Sequence, residues 1–448
     1  MELVPQTDSC MKKTYSFSRG GFVFEDPYAP QSASTETAFL PVLSVISLIQ
    51  HTGNKAYPIV FIGEYVKEGM LIGRGQGQGS ANIHATVPGK VVRMVSWKTV
   101  DGTVNEALVI RMEGSFERLG KKEPAYPWID LQLSELQHLI AEYGIVEMDE
   151  GERPVVDLFD DLATEKEAVT VVIRCVFDNA WFAADKAICN ERLMAVVEGS
   201  LITAKACRAT SIVYAVSYKE KQLIDNIRKT VQILHNLYPV NTPIAVVAVG
   251  NRYPQHNQRE LELVLRDYEK KENALLGRLF MLCPSTASAI HDAVKFHKPI
   301  LDRYVAIGGS AVKAPNVLKV RIGTRLRDVF EQCGGLIADP ARIVIGSPFL
   351  GRTVLDLDEP VTKTSYAVLA LLAKEIGGTV SRSCIGCGEC RAVCPMGIDP
   401  ESLYKQIISM PENPPSVDCH GCGCCEVVCP SRLPISTTIR AISKGAHT

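Results

Sequence analysis

Two runs near the C-terminus constrain this chain more than anything else in it. Residues 383–395 read SCIGCGECRAVCP, and the same grammar returns at Cys419, Cys422, Cys425, Cys429 and Pro430. Each run is CxxCxxCxxxCP, in which three thiolates wrap one [4Fe-4S] cluster and the fourth reaches across to a second. The spacing assigns Cys384, Cys387, Cys390 and Cys429 to one cluster, and Cys419, Cys422, Cys425 and Cys394 to the other. Zinc ribbons are built from paired CxxC knuckles and call for neither a third cysteine nor a following proline. Nine of the fifteen cysteines lie between Cys384 and Cys429, whereas a disulfide framework would spread pairs through a small secreted chain. Cys424 is surplus to the spacing and reads as a bystander thiol. Between the runs, Asp399 is placed to cap a helix opened by Pro400, with Leu403, Ile407 and Ile408 on one face and PENPP as its stop.

The 448 residues allow two to four domains. Lys plus Arg (48) nearly balances Asp plus Glu (50), so no nucleic-acid partner is expected. No apolar run approaches the ~18 residues of a membrane helix; SYAVLALLA (365–373) and IAVVAVG (244–250) have the length of a buried helix or strand. The opening residues lack the apolar stretch of a secretory signal, which makes the cytoplasm the default compartment.

Residues 57–93 alternate short β-branched runs with glycine turns, as a small all-β unit does. GEYVKEGMLIG followed by HATVPGKVV resembles the barrel-sandwich hybrid of lipoyl and biotinyl carriers, without a lysine at the hairpin tip. The run GRGQGQG (73–79) precedes no helix pattern and reads as a loop. From about 130 to 300, VTVVIRCVF, SIVYAVS and PIAVVAV alternate with helical stretches, which argues for a parallel or mixed sheet covered by helices. Residues 304–335 read as strand, Gly-Gly turn, strand and a helix closed by Gly334, a β-grasp pattern. No Ser-His-Asp set or HExxH motif stands out, so no catalytic residue is assigned. His51, His84 and His291 read as satisfied structural residues.

In this order the chain resembles the C-subunit family of Rnf electron-transport complexes, relatives of the flavin-bearing NADH subunit of respiratory complex I. Arg19-Gly20-Gly21, HATVPGKV, RIVIGSPFLG (342–351), DEPVTKTS (358–365) and both cysteine runs carry the likeness. The A subunit of sodium-pumping NADH:quinone reductases shares the front part but lacks the clusters. The resemblance implies a multidomain α/β chain: an N-terminal segment (1–35), a barrel-sandwich hybrid (36–120), a Rossmann-like, flavin-type α/β domain (125–302), a β-grasp SLBB module (303–345), a helical connector (346–380) and a helix-rich double [4Fe-4S] ferredoxin domain (381–448).

Three family phrases are altered here. A glycine-rich phrase resembling GIVGLGGAGFP is GIVEMDEGERP (144–154), with Glu147, Asp149, Glu150 and Glu152 on the family's glycines. NGAECEPYLT is NAWFAADKAI (179–188), keeping Asn179 and exchanging both acids for Phe182 and Ala184. YPQGGEKQL is YPQHNQREL (253–261), with His256 and Asn257 for the glycines. Uncompensated carboxylates where phosphates should lie count against FMN and NAD as cofactors. The expected role is an electron relay held at the cytoplasmic face of the membrane by integral partner subunits, exchanging electrons with a soluble ferredoxin or flavodoxin. The alternatives are an FMN-dependent NADH dehydrogenase with diverged loops and a non-redox docking adaptor; the complete ligand set speaks against the adaptor.

Overall fold

The computed structural model describes residues 13–31, 35–100, 102–149, 152–163, 167–376, 380–410, 415 and 417–445. Strands Leu43–Ser47, Val104–Met112, Gly89–Lys98 and Tyr65–Val66 form one antiparallel sheet in that order, and Tyr57–Pro58, Leu71–Arg74 and Ile83–His84 form another. Ile46, Val66, Ile72, Ile83, Leu108 and Ile110 join the two through one core. The glycine run leaves strand Leu71–Arg74 as a loop whose Gly79 N–H donates to Asp157 Oδ2 at 2.8 Å.

The α/β domain has four parallel strands in the order Ile244–Val249, Ser211–Ser217, Val169–Cys175, Arg278–Leu282. Every residue of Val169–Cys175 is buried, as a central parallel strand requires when helices cover both faces. Val171, Ile173 and Tyr214 face the helices Leu193–Ala206 and Pro284–Phe296, while Val172, Val213 and Val247 face Gln258–Glu272. The chain steps outward twice from Val169–Cys175 and then crosses to its other side. The order therefore reverses between Val169–Cys175 and Arg278–Leu282, the position at which open α/β sheets hold ligands.

The third sheet is mixed: Thr35–Thr37, Asn316–Arg321, Asp302–Gly308, Ala367–Leu371, Arg342–Ile345, Arg352–Val354. Two expected boundaries change here. The described residues of 346–380 do not form a helical connector: Ala367–Leu371 inserts between Asp302–Gly308 and Arg342–Ile345, and the helix among them is the four-residue Ala373–Ile376. SYAVLALLA is a short apolar run, and periodicity alone cannot tell a buried strand from a buried helix. Thr35–Thr37 pairs with Asn316–Arg321 rather than joining the sandwich.

The cysteine region is built from helices Glu389–Ala392, Pro400–Ser409, Cys424–Val427 and Ile435–Gly445. Asp399 Oδ1 accepts from Ser402 N–H at 3.1 Å, capping the second as expected. Ile407 is buried and Leu403 packs beside it, but Ile408 is 57% exposed, so the apolar face is narrower than the spacing implied. Residues 411–414 of PENPP lie outside the described residues. The N-terminal segment crosses the α/β domain through bridges of Tyr15 to Val249 and Phe22 to Tyr253 and ends beside the cysteine region.

Candidate functional site

The two cysteine runs fold as local copies of each other. Gly386 N–H donates to Cys384 Sγ and Gly421 N–H to Cys419 Sγ, both at 3.4 Å. Gly386, Gly388, Gly421 and Gly423 have φ between 67° and 82°, the left-handed region in which a loop wraps inward without a Cβ clash. Cys384, Cys387, Cys390 and Cys429 line one cavity together with Glu401, Tyr404, Leu433 and Ile435. Cys394 is absent from that lining and lies within electrostatic reach of Cys422, Cys419 and Cys425. Among the described residues no three Cys, His, Asp or Glu side chains converge on a single-ion position. The number and spacing of the thiolates match what two [4Fe-4S] clusters take.

The two groups differ in exposure. Cys384 and Cys387 are exposed, with Ile385 between them 70% exposed. The second group is held against the α/β domain. Tyr253 Oη donates to Cys422 O at 2.5 Å, and Cys424 is fully buried between Tyr253 and Val393, so the surplus thiol is a packing residue. His420 Nδ1 stands 3.0 Å from Glu260, both buried, though the two are not aligned as a hydrogen bond. Gly21 N–H donates to Val393 O at 2.8 Å, and a Cβ on Gly20 would meet Val393 O at 2.5 Å and the Cys394 carbonyl at 2.6 Å. That close approach is a physical reason for Gly20 and Gly21 at these positions.

At the order reversal of the parallel sheet, the crevice is filled by the protein's own side chains. Glu147 Oε1 accepts from Cys283 N–H at 3.0 Å, at the N-terminus of helix Pro284–Phe296, and pairs with Arg174 of strand Val169–Cys175 at 3.2 Å. Asp149 takes the other arm of Arg174 at 3.1 Å. Asp185 accepts from Ser285 N–H at 3.1 Å in the same first turn, and Arg303 donates to Ser285 Oγ at 2.5 Å and Met148 O at 3.2 Å. A helix N-terminus attracts anions, and here internal carboxylates hold that place. Burial, partly offset by Arg174, pushes Glu147 up to about 7; burial against Arg303 raises Asp185; burial against Arg352 takes Glu152 up to about 7.

The carboxylates are thus compensated from inside, which corrects the expectation of uncompensated negative charge. Sequence reasoning misses Arg174 because it sits in an apolar strand run; an arginine in VTVVIRCVF is itself the signal, since a buried guanidinium needs acids. Glu150 lies outside the described residues. The other two phrases close the same region. Phe182 stacks on Tyr366 at 5.5 Å and tilts against His256 at 4.4 Å. His256 Nδ1 lies 2.9 Å from both Asp178 oxygens, and Asn257 caps helix Gln258–Glu272. Asn179 accepts from Trp181 N–H, and Ala184 is core. An isoalloxazine and its phosphate placed in this crevice would have to displace this network.

His291 is paired with Asp292 at 2.9 Å and Glu198 at 3.4 Å, and His51 Nδ1 meets Thr52 O at 3.1 Å, as structural residues should. His84 differs: its Nδ1 has no hydrogen-bond partner, and burial pushes its pKa down to about 3, so it packs as a neutral ring.

Family profiles match four stretches of the chain: an RnfC barrel sandwich hybrid domain at 16–115, a Nuo51 FMN-binding domain at 140–275, an SLBB domain at 304–355 and a 4Fe-4S dicluster domain at 383–433. A relative from Clostridium ljungdahlii, the C subunit of its proton-translocating ferredoxin:NAD(+) oxidoreductase complex, is 29% identical over 82% of this chain and 79% of its own. The C subunit of the ion-translocating oxidoreductase complex of Rhodobacter capsulatus is 28% identical over 90% of this chain and 78% of its own. The C subunit of the Na(+)-translocating ferredoxin:NAD(+) oxidoreductase complex of Acetobacterium woodii is 25% identical over 80% of each. Among solved structures, an NAD+-reducing [NiFe]-hydrogenase in its air-oxidised state is 12% identical with a TM-score of 0.46, over 70% of this chain and 53% of that one.

Proposed function

Because the chain is a member of the RnfC-like family, we propose that it is the iron–sulfur relay subunit of a membrane-associated, ion-translocating oxidoreductase and has no flavin or nicotinamide site of its own. Cys384, Cys387, Cys390 and Cys429 hold one [4Fe-4S] cluster; Cys419, Cys422, Cys425 and Cys394 hold the other. Such clusters, when bound, take up and release single electrons. The exposed loop around Cys384 and Cys387 is the side a soluble ferredoxin or flavodoxin reaches, while Tyr253, Gly20 and Gly21 fix the inner ligands against the α/β domain. No helix of the described residues is long and apolar enough to cross a membrane, so integral partner subunits hold the chain at the cytoplasmic face.

The observation that carries the reading is Glu147 on Cys283 N–H at the sheet's order reversal, with Arg174 closing the charge. The second reading, an FMN-dependent NADH dehydrogenase with diverged loops, draws on the FMN-binding profile over 140–275. A domain fold outlasts its ligand when only the site residues change. Acid extraction of the anaerobically purified chain should yield two clusters' worth of iron and sulfide and no stoichiometric flavin. One FMN per chain would establish the second reading instead.

A further inference from the structure

A groove runs inward where the sandwich, the α/β domain and the mixed sheet meet, apart from both cysteine groups. Its inner chamber, about 220 Å³, is lined by Arg303, Lys319, Ser285 and Ser288 among others. A wider outer chamber of about 560 Å³ brings in Arg321, Lys121 and Lys122 from the neighbouring regions. Part of this positive charge is spoken for: Arg118 pairs with Glu123 at 3.2 Å, Arg192 with Asp292 at 2.6 Å, Lys298 with Glu123 at 3.6 Å, Lys319 with Asp302 at 3.9 Å, and Arg321 with Glu68 and Asp302 at 2.7 and 3.2 Å. Lys121 and Lys122 have no carboxylate within ion-pair distance among the described residues, whereas Arg303 reaches Asp185 through Ser285 Oγ, which it donates to and which donates in turn to the carboxylate.

The unmet hydrogen bonds point the same way. Arg303 Nε, Arg321 Nη1 and Ser288 Oγ are buried and have no partner. All three can donate, and each sits on a residue lining the groove. Buried polar groups are normally satisfied, and guanidinium donors match phosphate oxygens in geometry and charge. The mouth is less polar, with Leu119, Phe296 and Leu301 in its lining.

We propose that this groove binds a small phosphate-bearing anion, its phosphate end inward against Arg303 and Ser288 and its less polar body beside Leu119 and Phe296. The groove touches neither the cysteines nor Glu147, and it shares Ser285 and Arg303 with the filled crevice. Since three regions supply the lining, an occupant would also tie them together.

The test is calorimetry on the cluster-loaded full chain at low ionic strength, with inorganic pyrophosphate and adenosine diphosphate as separate probes. Each should bind at a single saturable site. Lys121→Gln with Lys122→Gln, both at exposed positions, should weaken binding about tenfold while clusters and melting temperature stay unchanged. Ser288→Ala should weaken it about threefold. Tighter binding of the nucleotide assigns a nucleotide, and equal binding assigns a free polyphosphate; both uphold the site. The proposal falls if neither probe binds at about 1 mM, or if both variants bind as the parent does.

Discussion

Replacing Arg174 with Met probes the filled crevice most sharply. The guanidinium is 2% exposed and lies 3.2 Å from Glu147 and 3.1 Å from Asp149, both nearly as deep. Removing it leaves two buried carboxylates without their cation, and breaking a buried pair in this way costs about 3–5 kcal/mol. That is a large share of the roughly 5–15 kcal/mol that holds a typical domain together. The cost should depend on pH with a defined sign. Burial already holds Glu147 at about 7, above the ordinary carboxylate value, even with Arg174 beside it. A raised folded-state pKa means that the native form binds the extra proton, so this group's contribution is favourable at low pH and is lost as pH rises through the folded value. Without Arg174 that value rises further, and Arg174→Met should be less destabilising at about pH 6 than at about pH 8, by up to about 1.4 kcal/mol per pH unit. Urea unfolding followed by circular dichroism, with amide exchange in Val169–Cys175 as the local readout, measures both quantities. Adding Glu147→Gln and Asp149→Asn to Arg174→Met should recover much of the loss, since a neutral set has no uncompensated charge. A cost below about 1 kcal/mol that does not change with pH would refute the argument that these carboxylates depend on Arg174.

Three further outcomes follow from the same geometry. Cys394→Ser should remove the electron paramagnetic resonance signal of the cluster assigned to Cys419, Cys422 and Cys425 and spare the other; loss of only the Cys384, Cys387 and Cys390 cluster would overturn the crossed ligation. Gly20→Ala places a Cβ in the left-handed region 2.5 Å from Val393 O and 2.6 Å from the Cys394 carbonyl, so iron content should fall at the inner cluster first, whereas full loading of both would show that this approach is dispensable. Glu198 is buried, and against the push of burial His291, Lys295, Tyr238 and Trp128 hold its pKa down at about 2. Its contribution is therefore complete above the ordinary carboxylate value and lost as pH falls from there towards about 2; Glu198→Gln should cost about 2–4 kcal/mol at neutral pH and flatten that acid limb, as urea titrations would show.

What the sequence made legible was local. A cysteine spacing is a chemical requirement written in consecutive residues, and the glycines at 386, 388, 421 and 423 repeat it in the backbone. The parallel strands could be read because helices bury both faces and demand unbroken apolar runs. Pairing across the chain was harder to read. Glu147 was visible as a lost glycine, but its meaning depends on Arg174 and Cys283 being brought to it by the fold. SYAVLALLA could be strand or helix until neighbours on both sides fixed it as strand. Tyr253, Glu260 and His420 gave no signal as supports of the inner cysteines, because that role exists only once the cysteine region docks on the α/β domain.

The most direct test is anaerobic reduction of the purified, cluster-loaded chain, followed optically and by paramagnetic resonance, with NADH in one cell and a reduced ferredoxin or flavodoxin in the other. Reduction of the clusters by the protein donor, with none by NADH alone, is the predicted result. Full reduction by NADH with no other protein present would contradict it.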